Sequence, residues 1–105
     1  MNKKLIGRFG VDSGQVMLVD PCYVKDFESN EFNFLEKNKK NPNNSFSYNG
    51  ACNQTCFTDA MGGILKNKIG AEMAVVASTG YGDGGYDVYA TYEDGRVKKL
   101  EVEFF

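Results

Sequence analysis

The chain has 105 residues, a formal net charge of −2, 42% hydrophobic and 25% charged residues, three cysteines and no histidine. That length suits one domain without a separate catalytic lobe, the charge lacks the basic excess that duplex nucleic acid demands, and no apolar run nears the roughly 20 residues of a membrane helix. The absence of histidine removes the commonest general base near neutral pH and excludes Cys-His and Ser-His nucleophile pairs.

Residues 5–9 and 15–19 read as short strands, and Asp12-Ser13-Gly14 between them is a turn signal, so a first hairpin is expected. Asp20-Pro21 ends it, because proline removes a ladder donor and restricts the residue before it. Cys22, Tyr23 and Val24 then leave the sheet. Ser29 can cap a helix from residue 30 to about 39 that buries Phe32 and Leu35 one turn apart. Residues 38–47 have the composition of an exposed loop broken by Pro42. Phe46-Ser47-Tyr48 alternates like a short strand before Asn49-Gly50, a turn dipeptide. Thr58-Asp59 can cap a helical turn that Gly62-Gly63 cuts short, and residues 64–69 lead to the next strand.

Ala74-Val75-Val76-Ala77 is apolar without alternation, which suits a central strand covered on both faces. After it, residues 78–85 hold four glycines in eight positions. The last third ends in a hairpin about Glu93-Asp94-Gly95. A two-residue loop there sets Val88 opposite the charged Glu101. A three-residue loop with a bulge pairs Val88 with Leu100 and Tyr86 with Val102, and is preferred because register follows the buried face. One face then carries Tyr86, Val88, Ala90, Leu100, Val102 and Phe104. Tyr89 falls on the other, near Asp87 and Thr91. The fold expected is α+β and mainly β: a single domain with one antiparallel sheet of about five strands, two hairpins plus a central strand, and one short helix.

Candidate chemistry is sparse. Cys52 and Cys56 with Cys22 offer three thiolates, one ligand short of a usual structural zinc set, so small reduced thiols are expected and neither metal nor cofactor is implied. The leading residues run into a strand without a signal-peptide core, which makes the cytoplasm the expected location. The glycine run is either a wide turn or a binding loop. In the second case backbone N–H groups of Ser78, Thr79, Gly80, Tyr81, Gly82, Asp83 and Gly84 form a nest for an anion, Tyr81 or Tyr89 stacks a ring, and Arg8, Arg96 or Lys98 supplies charge. Asp12, Ser13, Asp20 and Tyr23 are the expected neighbours. No catalytic residue is assigned.

The strings from Val11-Asp12-Ser13-Gly14-Gln15 to Tyr23-Val24, and Ser78-Thr79-Gly80-Tyr81-Gly82-Asp83-Gly84 through Tyr86-Asp87-Val88-Tyr89 to Asp94-Gly95-Arg96-Val97, carry a resemblance. The chain resembles the domain-of-unknown-function 4241 group and its short bacterial and bacteriophage relatives, over its first 24 or so and last 35 or so residues. The resemblance implies a small, phage-encoded protein acting in the host cytoplasm and brings no established activity. Two functions are then expected in competition. One is sequestration of a small anionic, nucleotide-like signal by the glycine loop. The other is an interaction or structural module that meets a host protein through the Tyr89 face. The apolar C-terminal residues Phe104 and Phe105 add the expectation of a homo-oligomer.

Overall fold

A computed structural model describes residues 2–32 and 41–105. The chain forms two compact units, one of residues 1–14 with 79–105 and one of residues 15–78. Among the described residues there are six strands in two antiparallel sheets of three, not one sheet of about five.

The first unit contains β1 (Asn2–Val11), β5 (Gly84–Glu93) and β6 (Arg96–Val102) in the order β1-β5-β6. The second contains β2 (Gln15–Val19), a 3-10 helix (Pro21–Asp26), α1 (Tyr48–Cys56), β3 (Gly62–Lys66) and β4 (Glu72–Ser78), with the sheet order β2-β4-β3. The hairpin expected from residues 5–9 and 15–19 does not form. β1 pairs with β5 and β2 with β4, so the Asp12-Ser13-Gly14 turn passes the chain from one unit to the other. Gly14 turns the chain there at φ 68°, but strand partners are chosen by long-range pairing.

In the first unit the β5–β6 turn is a two-residue loop, with Asp94 at φ 53° and Gly95 at φ 73°. Both central residues are left-handed, which matches the twist of the flanking strands. Glu93 therefore faces Arg96 and Tyr92 faces Val97, and the ladder then shifts by one residue before Thr91 meets Lys99. This bulge at Lys98 corrects the expected register. Val88 lies opposite Val102 rather than Leu100, and Ala90 opposite Leu100. The apolar residues still share one face, because the bulge restores the alternation that a plain two-residue hairpin would have broken. Phe9, Tyr86 and Phe104 pack on that face, with ring centroids 6.1 Å and 5.4 Å from Tyr86.

In the second unit the hydrophobic cluster is Phe46, Ala51, Leu65, Ala74 and Val76, with Met17, Val19, Phe27 and Met73 packed around it. β4 is the central strand, as its apolar run implied, but only one of its faces is covered. Val76 and Ala74 are buried, whereas Val75 is 49% exposed.

Residues 48–56 form a helix where a strand and a turn were expected. Ser47 is the N-cap and its Oγ accepts the Gly50 N–H at 2.9 Å. Asn49-Gly50 sits in the first turn, and Gly50 to Thr55 are all buried. Asn49, Gly50, Asn53 and Thr55 are weak helix formers and the helix is only nine residues long, so tertiary bonds hold it. Gln54 Nε2 donates to the Pro42 and Asn43 carbonyls at 3.2 and 3.0 Å, and Asn53 Oδ1 accepts the Asn43 N–H at 3.3 Å. Residues 29–32 of the helix expected over 29–39 are not helical, and the rest of it lies outside the described residues. Residues 58–61 make a turn, and Gly62-Gly63 opens β3 instead of ending a helix.

Candidate functional site: a loop and an aromatic cleft in the first unit

The glycine loop is ordered by its own bonds. Thr79 is fully buried, its N–H donates to the Gly14 carbonyl at 3.0 Å, and its Oγ1 accepts the Gly82 N–H at 3.1 Å. The same hydroxyl donates to the Gly82 carbonyl at 2.7 Å, which also accepts the Tyr86 OH at 2.7 Å. The Tyr81 N–H donates to the Thr79 carbonyl. Gly80, Gly82 and Gly84 have φ of 77°, 87° and 150°, which is where the chain needs residues without a Cβ. The N–H groups of Thr79, Tyr81 and Gly82 are thus spent inside the unit, which leaves little of an outward nest.

The sequence-predicted residues fall in three places. Asp12, Ser13 and the stretch from Thr79 through Gly80, Tyr81, Gly82 and Asp83 to Gly84 belong to the first unit, whereas Ser78, Asp20 and Tyr23 belong to the second. Asp20 caps the 3-10 helix, its carboxylate accepting the Cys22 N–H at 2.9 Å. Ser78 ends β4, where its N–H donates to the Met61 carbonyl. Tyr23 is partly exposed on the 3-10 helix. Tyr89 and Arg96 lie along the first unit's sheet at very different depths. Arg96 faces Glu93 at the far end of β5, about 30 Å from Gly84 at the rise of an extended strand, and cannot serve the loop.

What the loop borders is a cleft of about 340 Å³ lined by Arg8, Tyr86, Asp87, Tyr89, Glu103, Phe104 and Phe105 among others. β1–β5 pairing sets Arg8 opposite Asp87 on the sheet face that also carries Tyr89. The guanidinium is 3.5 Å from the Asp87 carboxylate and 3.3 Å from the Gly85 carbonyl, and two thirds of the side chain remains exposed. The Lys3 ammonium lies 5.0 Å from the Tyr89 ring centroid, within cation–π range. Tyr81 at the loop tip is 73% exposed and its ring centroid is 4.7 Å from that of Phe105, itself 84% exposed. Loop and cleft therefore share an aromatic wall.

A protein-family profile described as "Protein of unknown function (DUF4241)" matches residues 3–102. The chain belongs to this family. The match spans the middle segment that the sequence motifs left open, as well as both ends, and the family's description carries no activity. No curated protein and no solved structure matches the chain.

Sequence reasoning singled out Tyr89 and Arg8 but missed Asp87, Glu103, Phe104 and Phe105 as cleft residues. Period-two alternation puts Asp87 and Tyr89 on one face, so half of that signal was present. That Arg8 joins them is a matter of β1–β5 pairing across 79 residues. Of the cysteines, Cys52 is buried with its sulfur bonded by Gln15 Nε2, and Cys22 and Cys56 are exposed. Among the described residues no three of His, Cys, Asp or Glu gather for a metal ion, and no helix is long and apolar enough to cross a membrane.

Proposed function

We propose that this protein is a non-catalytic binder of a small ring-bearing ligand, held in the cleft beside the glycine loop rather than by the loop's own amides. One observation carries the reading: the Thr79, Tyr81 and Gly82 N–H groups of the loop turn inward onto Gly14 and Thr79, while Tyr89, Phe104 and Phe105 line the cleft with Arg8 and Tyr81 packs on Phe105. Aromatic walls supply stacking area, and a few placed polar groups fix orientation. The cleft holds one guanidinium against two carboxylates, Asp87 and Glu103. This balance supports a nucleoside-like ring whose N–H or hydroxyl groups meet the carboxylates, over a ligand held chiefly by an anionic group. A stoichiometric binder with no reacting groups acts by removing its ligand from solution, which keeps sequestration of a host signal as the biological reading.

The test is a thermal-shift screen of nucleosides beside their mono-, di- and cyclic nucleotides. Ligand at a hundredfold excess over Kd stabilises by about 2.7 kcal/mol. Nucleosides should match or exceed nucleotides, and Phe105→Ala and Tyr89→Ala should abolish the shift. A shift confined to phosphorylated ligands would return the site to the loop, and no shift from any of them would end the reading.

A second reading has its own observation. On the outer face of the second unit's sheet, Leu18, Val75 and Ile64 lie opposite one another across β2, β4 and β3, and all three are exposed. Val16, Ala77 and Gly62 form the next rung, so neither rung carries a charge. A charge-free aliphatic face meets no repulsion from its own copy, and a twofold axis along β4 sets Leu18 against Ile64 of the second copy. Homodimerisation is the expected outcome, measured by sedimentation at tens of micromolar and lost in Val75→Lys. A wild-type monomer refutes it.

A further inference from the structure

Gly85 stands in β5 without a backbone reason for being glycine. Its φ lies outside the positive range that Gly80, Gly82 and Gly84 adopt, and glycine within a strand weakens it. What it provides is room. A Cβ at Gly85 would lie 2.7 Å from Arg8 Nε, 3.0 Å from Nη2 and 3.3 Å from Cζ, so its three nearest atoms all belong to the guanidinium. A Cβ at Gly10, its partner across the ladder, would meet nothing within 4 Å. The guanidinium therefore rests on the Gly85 backbone, with Nη2 donating to the Gly85 carbonyl at 3.3 Å and Nη1 to the Asp87 carboxylate at 3.5 Å. Alternation puts Gly85, Asp87 and Tyr89 on one face of β5, and all three line the aromatic cleft with Arg8.

This seat fixes what the cleft offers a ring. A guanidinium has five N–H donors and no acceptor, and among the described residues Arg8 uses one toward Gly85 and one toward Asp87. The remaining donors are open to a ligand. Glu103 lines the same cleft and makes no ion pair or hydrogen bond among the described residues, so a carboxylate that only accepts is open as well. A ring that satisfies both groups carries adjacent acceptors on one edge and N–H donors on another. Guanine is built this way: O6 and N7 form the pair that arginine takes bidentately, and its ring N–H and exocyclic amine suit a carboxylate. Adenine sets an amine where guanine has O6, which brings donor against donor at arginine.

We infer, on the footing of the ring-binding cleft proposed above, that Gly85 and Asp87 are positioning residues that hold Arg8 to read the O6 and N7 edge of a guanine-type purine, with Glu103 accepting from its N–H groups. Gly85 acts by leaving the guanidinium its place, and Asp87 by fixing one end of it. The selectivity expected is for an oxo group over an amine at the purine six-position, set by a donor that cannot also accept.

The test titrates guanosine, inosine and adenosine into the full chain with amide NMR detection. Guanosine should bind most tightly, inosine next, and adenosine about tenfold or more below guanosine. Gly85→Ala displaces only the end of a flexible side chain, so Tm should hold while guanosine affinity falls to that of adenosine; Gly10→Ala should change neither. Arg8→Lys keeps the charge without the fork and should lose the preference too. Glu103→Ala should narrow the gap between guanosine and inosine, which lacks the exocyclic amine. Binding that Phe105→Ala removes but that shows no preference for guanosine, or a preference that survives Gly85→Ala, overturns the role given to Arg8 and leaves the ring-binding cleft standing. Absence of binding by all three nucleosides removes that cleft and the guanine assignment together. A Gly85→Ala chain that no longer folds overturns the seat, since atoms other than Arg8 would then fill that space.

Discussion

Gly50→Ala separates helix propensity from packing by the sign of its effect. On propensity alone, alanine in the first turn of α1 gains about 1 kcal/mol over glycine. The structure reverses this. A Cβ at position 50 would overlap the Ser45 carbonyl oxygen and lie 2.8 Å from its carbonyl carbon and 2.9 Å from its nitrogen, inside the 3.0 Å that real Cβ contacts respect. All three are backbone atoms, so no side chain can swing away. Ser45 cannot retreat alone, because Phe46 and Asn44 on either side are bonded to Lys66 at 2.9 and 2.8 Å, and Ser47 caps the helix. Overpacking costs about 1–3 kcal/mol and each hydrogen bond lost adds about 1 kcal/mol. After the propensity gain, a net destabilisation of about 2 kcal/mol is expected, which lowers Tm by roughly 10 °C in a domain of this size. Urea denaturation should show a lower midpoint at unchanged m. A midpoint that stays or rises would refute the claim that the helix is seated on Ser45.

Thr79→Val keeps shape but strips the hydroxyl that bonds the Gly82 N–H and carbonyl, and should cost about 1–3 kcal/mol by leaving the amide unpaired; an unchanged denaturation midpoint would show the loop does not rest on that hydroxyl. Gly95→Val places a β-branched residue at φ 73° and should cost ~1 kcal/mol or more, whereas Asp94→Asn at φ 53° should be close to neutral, both by thermal melts. Glu101→Gln removes the carboxylate that Lys3 and Lys99 approach at 3.6 and 3.5 Å, and the loss should stay below about 1 kcal/mol and shrink with added salt; a larger, salt-insensitive loss in denaturation would contradict a surface ion pair.

The sequence by itself determined what is local and periodic. Glu93-Asp94-Gly95 specified a hairpin because an acidic residue before glycine suits a turn that needs positive φ, and alternation sorted Val88, Ala90, Leu100 and Val102 from Tyr89, Thr91 and Glu101. The apolar run around Val76 marked a central strand. Family membership was legible from glycine and tyrosine strings at the two ends. Tertiary structure decided everything that depends on partners distant in the chain. It paired β1 with β5, so a turn that looked like a hairpin became a passage between units. It placed a bulge at Lys98, whose only signature is the partner's apolar face. It made a helix of Asn49, Gly50 and Asn53, residues that favour turns alone, by burying them against residues 42–45. The aromatic cleft follows the same rule: Arg8 meets Asp87 only after strands far apart in sequence have chosen their neighbours, a choice set by the burial of whole faces rather than by any short motif.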